Sequence, residues 1–128
     1  MRAVDTNVLV RLIVQDDPEQ LAIAREVIEG GVWVPQLVLA ETMWVLRSNF
    51  QFDHAAIADS VQMLFDLEKI VLEDGEVVAA ALEQYKRRPS LRFFDCLILA
   101  TARHAGHHPL ATFDKALATL DGTVRLGR

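Results

Sequence analysis

Residues 93–114 read FFDCLILATARHAGHHPLATFD, and the fold turns on how they are parsed. An apolar run at helical spacing begins at Phe93, with Asp95 at its front. Gly106 and Pro109 end it. Residues 110–112 then read as a short strand, with Asp114 just past its end. A helix start and a strand end therefore each carry a carboxylate. In a parallel α/β sheet those two kinds of end share one edge, where ligands bind. Asp5 and Glu41 are the other acids that could join Asp95 and Asp114 there.

The same alternation runs outward from this stretch. Residues 2–5 read as a strand, and 7–14 as a helix with Val8, Leu9, Leu12 and Ile13 as its stripe. Asp17 caps the next helix, with Pro18 in its first position and Gly30-Gly31 after its end near Glu29. Residues 32–34 form a second strand. Pro35 opens a helix that carries Leu37, Ala40, Glu41, Trp44 and Val45 on one face. Asp53 caps a helix over 54–69, with Ile57, Val61, Leu64 and Phe65 facing inward. Residues 70–72 form a third strand, and 76–88 a helix closed by Pro89. Past the opening stretch come a short helix over 115–120 and a candidate last strand over 124–126. This order predicts an α/β fold, a three-layer α/β/α sandwich with a central parallel sheet, as one domain over residues 1–128.

Composition narrows the function classes. A hydrophobic share of 52% excludes a disordered chain. No apolar run is long enough to cross a membrane, so no membrane partner is expected. The start, MRAVDTNVLV, has an acid inside its apolar run and reads as structure rather than a signal peptide. Cys96 is the single cysteine, which rules out an internal disulfide and fits a reducing cytoplasm. The net charge of −5 argues against a basic nucleic-acid-binding surface. Setting the four candidate acids aside brings the remainder close to neutral.

Each acid has a structural and a functional reading. Asp5 ends the first strand, as a cap for the following helix or as a ligand group. Glu41 lies between apolar neighbours on its expected face, where a carboxylate needs a partner. That partner is a metal ion or an arginine, with Arg11 and Arg47 as candidates. Asp95 and Asp114 read as first-turn or capping acids when taken alone. If the four converge they repel, each pair by about 4 kcal/mol at ~4 Å and an effective dielectric near ~20. Such a cluster needs a cation or protonation. Oxygen donors without His or Cys suit Mg²⁺ or Mn²⁺, and phosphodiester hydrolysis is the chemistry such a site supports.

Four segments carry a resemblance: VDTNVLVRL, LAETMWVL, FFDCLILATA and LATFDKAL. Together, in this order and across essentially the whole chain, the sequence resembles the PIN-domain ribonucleases, and most closely the VapC-type toxins of toxin–antitoxin pairs. The resemblance implies a Mg²⁺- or Mn²⁺-dependent endoribonuclease with its acidic site at Asp5, Glu41, Asp95 and Asp114. It implies Thr6, Asn7 and Thr112 as polar groups that orient ligands or water. It also implies a homodimer, a small cognate antitoxin protein and a structured RNA substrate. Cys96 stands where the family often has Ala, a departure that should not touch the chemistry.

Other constellations are weaker. Asp5-Thr6-Asn7 lacks the second Asp that a haloacid-dehalogenase-type phosphatase requires. There is no glycine-rich phosphate loop and no GxSxG elbow. His104, His107 and His108 cluster around a helix break and read as a solvated turn. The basic residues Arg11, Arg47, Arg87, Arg88 and Arg92 are candidate RNA contacts, against a plain reading of the 86–88 run as a helix C-terminus. A non-catalytic binding module, receiver-like or an idle PIN scaffold, is the competing class.

Overall fold

A computed structural model describes residues 1–127. The chain divides into two compact units, Met1–Gly75 and Glu76–Arg128.

In the first unit, β1 (Arg2–Ala3), β2 (Val32–Val34) and β3 (Ile70–Leu72) form a three-stranded ladder in the order β1-β2-β3, parallel throughout. Val32 and Val34 are fully buried on one face of β2, and Trp33 on the other face is half-buried. The intervening helices are α1 (Thr6–Val14), α2 (Pro18–Glu29), α3 (Gln36–Phe50) and α4 (His54–Asp66). Asp5, Asp17 and Asp53 cap α1, α2 and α4 through side-chain oxygens that accept backbone N–H groups. Pro18 stands in the first turn of α2, and Gly31, at φ 82°, turns the chain into β2. Helix α3 begins after Pro35, which offers no side-chain cap. Its first amide, Gln36 N–H, instead donates to Glu73 Oε1 at 2.7 Å, just past β3. Helix α1 packs on α2 and α3, and Leu9, Val10, Leu39, Leu46, Val61 and Leu64 are buried.

The stripe expected on α3 is not the buried one. Leu37 is 84% exposed and Trp44 55%, and Glu41 is exposed as well. The inward face is Leu39, Thr42, Met43 and Leu46, with Ala40 at its margin. Both sets have three-and-four spacing, so periodicity alone could not choose between them. Phe65 on α4 likewise points partly to solvent, at 42% exposed, while Ile57, Val61 and Leu64 are buried as expected. Two bounds are also shorter than expected. Strand β1 stops at Ala3, because Asp5 already serves as the cap of α1. Helix α4 stops at Asp66 rather than running to Lys69.

The second unit holds α5 (Gly75–Arg87, whose first residue closes the first unit), α6 (Phe93–His104), β4 (Leu110–Thr112), a 3₁₀ turn (Leu117–Thr119) and β5 (Thr123–Arg125). Strands β4 and β5 pair in parallel, with Leu110 opposite Thr123. Hydrogen bonding thus divides the strands into two parallel ladders among the described residues. The expected helix over 115–120 is a single 3₁₀ turn. Tyr85 of α5 meets Phe93 of α6 edge-on, with ring centroids 5.8 Å apart, and both residues are buried. His104, His107 and His108 are exposed, and His104 Nε2 lies 3.5 Å from Glu76 Oε1.

Candidate functional site

In the first unit, Thr6 links two of the four acids. Its backbone N–H donates to Asp5 Oδ1 at 2.7 Å, which is the cap of α1. Its hydroxyl donates to Glu41 Oε1 on α3 at 2.5 Å. Thr6 is 5% exposed, while both carboxylates reach solvent. One buried threonine therefore fixes Asp5, at the strand-to-helix corner, and Glu41, midway along another helix. Glu41 finds neither of the arginines expected for it. Arg11 Nη1 pairs with Asp16 Oδ1 at 2.8 Å, and its guanidinium lies 5.8 Å from the centroid of the Phe50 ring. Asn7, exposed in the first turn of α1, is the third polar residue of this corner.

In the second unit, Asp95 is the one candidate acid that is buried, at 8% exposed. It lies in the first turn of α6, where a carboxylate faces the positive end of the helix dipole. Its Oδ2 accepts from Arg92 Nε at 3.1 Å. Asp114 is exposed past β4, and its Oδ1 accepts the Leu117 N–H at 2.9 Å, starting the 3₁₀ turn. Thr112 Oγ1 accepts the Asp114 N–H at 3.0 Å, which shapes the corner that presents this carboxylate.

All four carboxylates share one property. Each has one oxygen engaged by a donor, and the other carries no hydrogen bond among the described residues. Such half-engaged, oriented carboxylates are a donor chemistry suited to a hard divalent cation. Among the described residues, no three or more His, Cys, Asp or Glu side chains stand as a group that could hold a metal.

A model of the PIN domain matches residues 2–122 of the sequence. The chain belongs to the PIN domain family. Comparison with curated proteins and with solved structures gave no match. PIN domains are generally metal-dependent nucleases that act on RNA, they use divalent ions, and they often pair with antitoxins. No helix of this PIN domain is long and apolar enough to cross a membrane, among the described residues.

The five arginines expected to touch RNA are mostly engaged. Arg87 pairs with Glu83 at 2.8 Å, Arg88 donates to Thr119 Oγ1 at 3.0 Å, and Arg11 and Arg92 hold Asp16 and Asp95. Arg47 is exposed. Of these, Arg87–Glu83 is the fully solvent-exposed ion pair, a kind worth roughly 0–1 kcal/mol.

Cys96 is buried beside Asp95, and burial pushes its thiol up to about 12, with the charge of Asp95 adding to the effect. It lines a cleft of about 520 Å³ between α5 and α6, together with Glu76, Glu83 and Arg103. None of the four candidate acids lines that cleft. The pairing of Arg92 with Asp95 was missed in the sequence, although the three-residue spacing at a helix start was a usable signal.

Proposed function

We propose that this PIN domain is an endoribonuclease in which Asp5, Glu41, Asp95 and Asp114 supply the oxygen donors for Mg²⁺ or Mn²⁺. The observation that carries the proposal is the half-engaged state of these carboxylates in a chain of this family. The family match runs through both units without interruption, which supports treating residues 1–128 as one domain. A divalent cation held by these groups would supply positive charge against the scissile phosphate and acidify an attacking water. The chain's own contribution is placement. Thr6 holds Asp5 and Glu41 at fixed orientations through a backbone amide and a hydroxyl. The turn made by Thr112 and Asp114 presents a fourth carboxylate. Asn7 stands beside Asp5 to orient ligand or water. Arg11, Arg47, Arg87, Arg88 and Arg92 are the candidates for phosphate contacts, and such contacts make RNA affinity fall as salt rises.

The order of the four motif segments supports a more specific reading: the toxin of a toxin–antitoxin pair, acting in the cytoplasm as a homodimer and restrained by a small cognate antitoxin. Exposed Leu37 and Trp44 on α3 give such a partner or a second copy apolar surface to cover. The deciding experiment incubates the purified protein with structured RNA, with and without Mg²⁺ or Mn²⁺, with EDTA and DNA controls. Cleavage of RNA that EDTA abolishes is expected. A folded protein that binds a partner but cleaves nothing under any of these conditions would make it an idle scaffold. Co-expression with the neighbouring small open reading frame, read as copurification and restored growth, tests the toxin assignment separately.

A further inference from the structure

Helix α6 begins in a way that its own stability does not explain. Its N-cap residue is Arg92, which makes no side-chain cap bond, whereas Asp residues cap α1, α2 and α4. An N-cap position favours Ser, Thr, Asp or Asn. A cation there also faces the positive end of the helix dipole and is disfavoured. The dipole already favours the charge of Asp95 in that first turn, so the arginine serves the shielded carboxylate and not the helix. So Arg92 costs the helix a cap and gains it an unfavourable charge. The one hydrogen bond of its side chain among the described residues is to Asp95.

The form of the contact matters. Arg92 donates through Nε alone, at 3.1 Å, rather than through the two-point fork that makes arginine–carboxylate pairs strong. The Arg92 side chain is 53% exposed and that of Asp95 12%. A half-solvated cation thus sits on a shielded carboxylate by a single hydrogen bond. Such a cation can leave at little cost when a stronger one arrives.

We infer that Arg92 is a built-in counter-cation of Asp95, which a divalent ion has to displace, and that it thereby sets the metal affinity of the site. The inference rests on the metal-dependent reading proposed above. Arg92 acts here as a positioning residue: it holds the Asp95 carboxylate in the first turn while no ion is bound. Once released, its guanidinium is free to meet a phosphate.

Calorimetric titration of the full-length protein with Mn²⁺ tests this without any activity assay. The variants are Arg92→Gln, Arg92→Ser, Arg92→Lys and Asp95→Asn, each checked for its fold by circular dichroism. Arg92→Ser supplies an ordinary N-cap and so guards against a damaged helix start. Removing the competing charge should tighten Mn²⁺ binding roughly two- to fivefold in both Gln and Ser variants. Arg92→Lys keeps the charge and should stay close to wild type. Asp95→Asn should weaken binding. If Asp95→Asn weakens binding while neither Arg92→Gln nor Arg92→Ser tightens it, the counter-cation is refuted and the metal site stands. If the wild-type protein binds no Mn²⁺, or Asp95→Asn binds it undiminished, the metal reading at Asp95 fails and takes this inference with it.

Discussion

The acids of the first unit and the buried acid of the second are held by opposite means. Asp5 and Glu41 are fixed by neutral donors, an amide and a hydroxyl of one buried threonine. Their negative charge is oriented but not cancelled. Asp95 is fixed by a guanidinium, so its charge is oriented and partly neutralised. The contrast follows exposure. Asp5 and Glu41 keep contact with solvent, which stabilises their charge. Asp95 is shielded, and a shielded carboxylate is costly without a counter-charge. The first unit therefore leaves the charge of its acids uncancelled, while the second pairs its shielded acid with a cation of its own.

The largest effect should come from the shielded side of this comparison. Asp95→Asn keeps the shape of the side chain and removes its charge. RNA cleavage in Mg²⁺ or Mn²⁺ should fall by more than the about 10- to 100-fold that loss of a metal ligand's supporting partner costs. Near-wild-type cleavage by a folded Asp95→Asn protein would remove Asp95 from the site. The neutral-donor side is probed by Thr6→Val, which deletes the hydroxyl and keeps the volume. Glu41 then loses its anchor, and cleavage should drop about tenfold, with Thr6→Ser recovering most of it. Equal rates for Val and Ser would mean that the hydroxyl does not orient Glu41 for catalysis.

Stability measurements sharpen the same picture on α3, whose two faces bear Glu41 and the core. Leu46→Ala on the buried face should cost about 2–5 kcal/mol in denaturant unfolding. Leu37→Ser on the exposed face should stay within roughly 0.5 kcal/mol of wild type. Similar losses from both would return Glu41 to a buried stripe. The smallest effect concerns Cys96. With its thiol pushed up to about 12, it should resist alkylation in the native protein at pH 8 and react once unfolded. The ordinary thiol titrates near 9.0, so between that value and about 12 the unfolded chain releases a proton that the native one retains. Stability carried by the protonated thiol is complete below pH 9 and is lost as pH rises toward 12. Rapid native alkylation at pH 8 would contradict the burial of Cys96.

Much of the local structure was legible because its causes are local. Asp17-Pro18 and Asp53 start helices by capping backbone amides, and Gly30-Gly31 stops one, whatever lies further along the chain. Strands of three residues, Val32–Val34, Ile70–Leu72 and Leu110–Thr112, fell where expected because apolar runs bounded by breakers leave few alternatives. The alternation of strand and helix then pointed to parallel pairing, and every ladder pair is parallel. The four acids could be named from type and position, since a carboxylate at a strand end or in a first helical turn is visible in one dimension. Their surroundings were not visible. Two stripes on α3 fit a helical period equally well, and packing against α1 selected Leu39, Met43 and Leu46. That choice turned Glu41 outward and reversed the expectation about which acid is shielded. The partner of Glu41 lies 35 residues away at Thr6, a distance over which sequence spacing carries no information. The partner of Asp95 is only three residues away, yet spacing alone cannot say whether an arginine at a helix start turns toward the carboxylate or toward water. Propensity and capping act within a few residues, so the sequence suffices for them. Burial and side-chain pairing depend on which surfaces meet, and that is settled only when the helices pack.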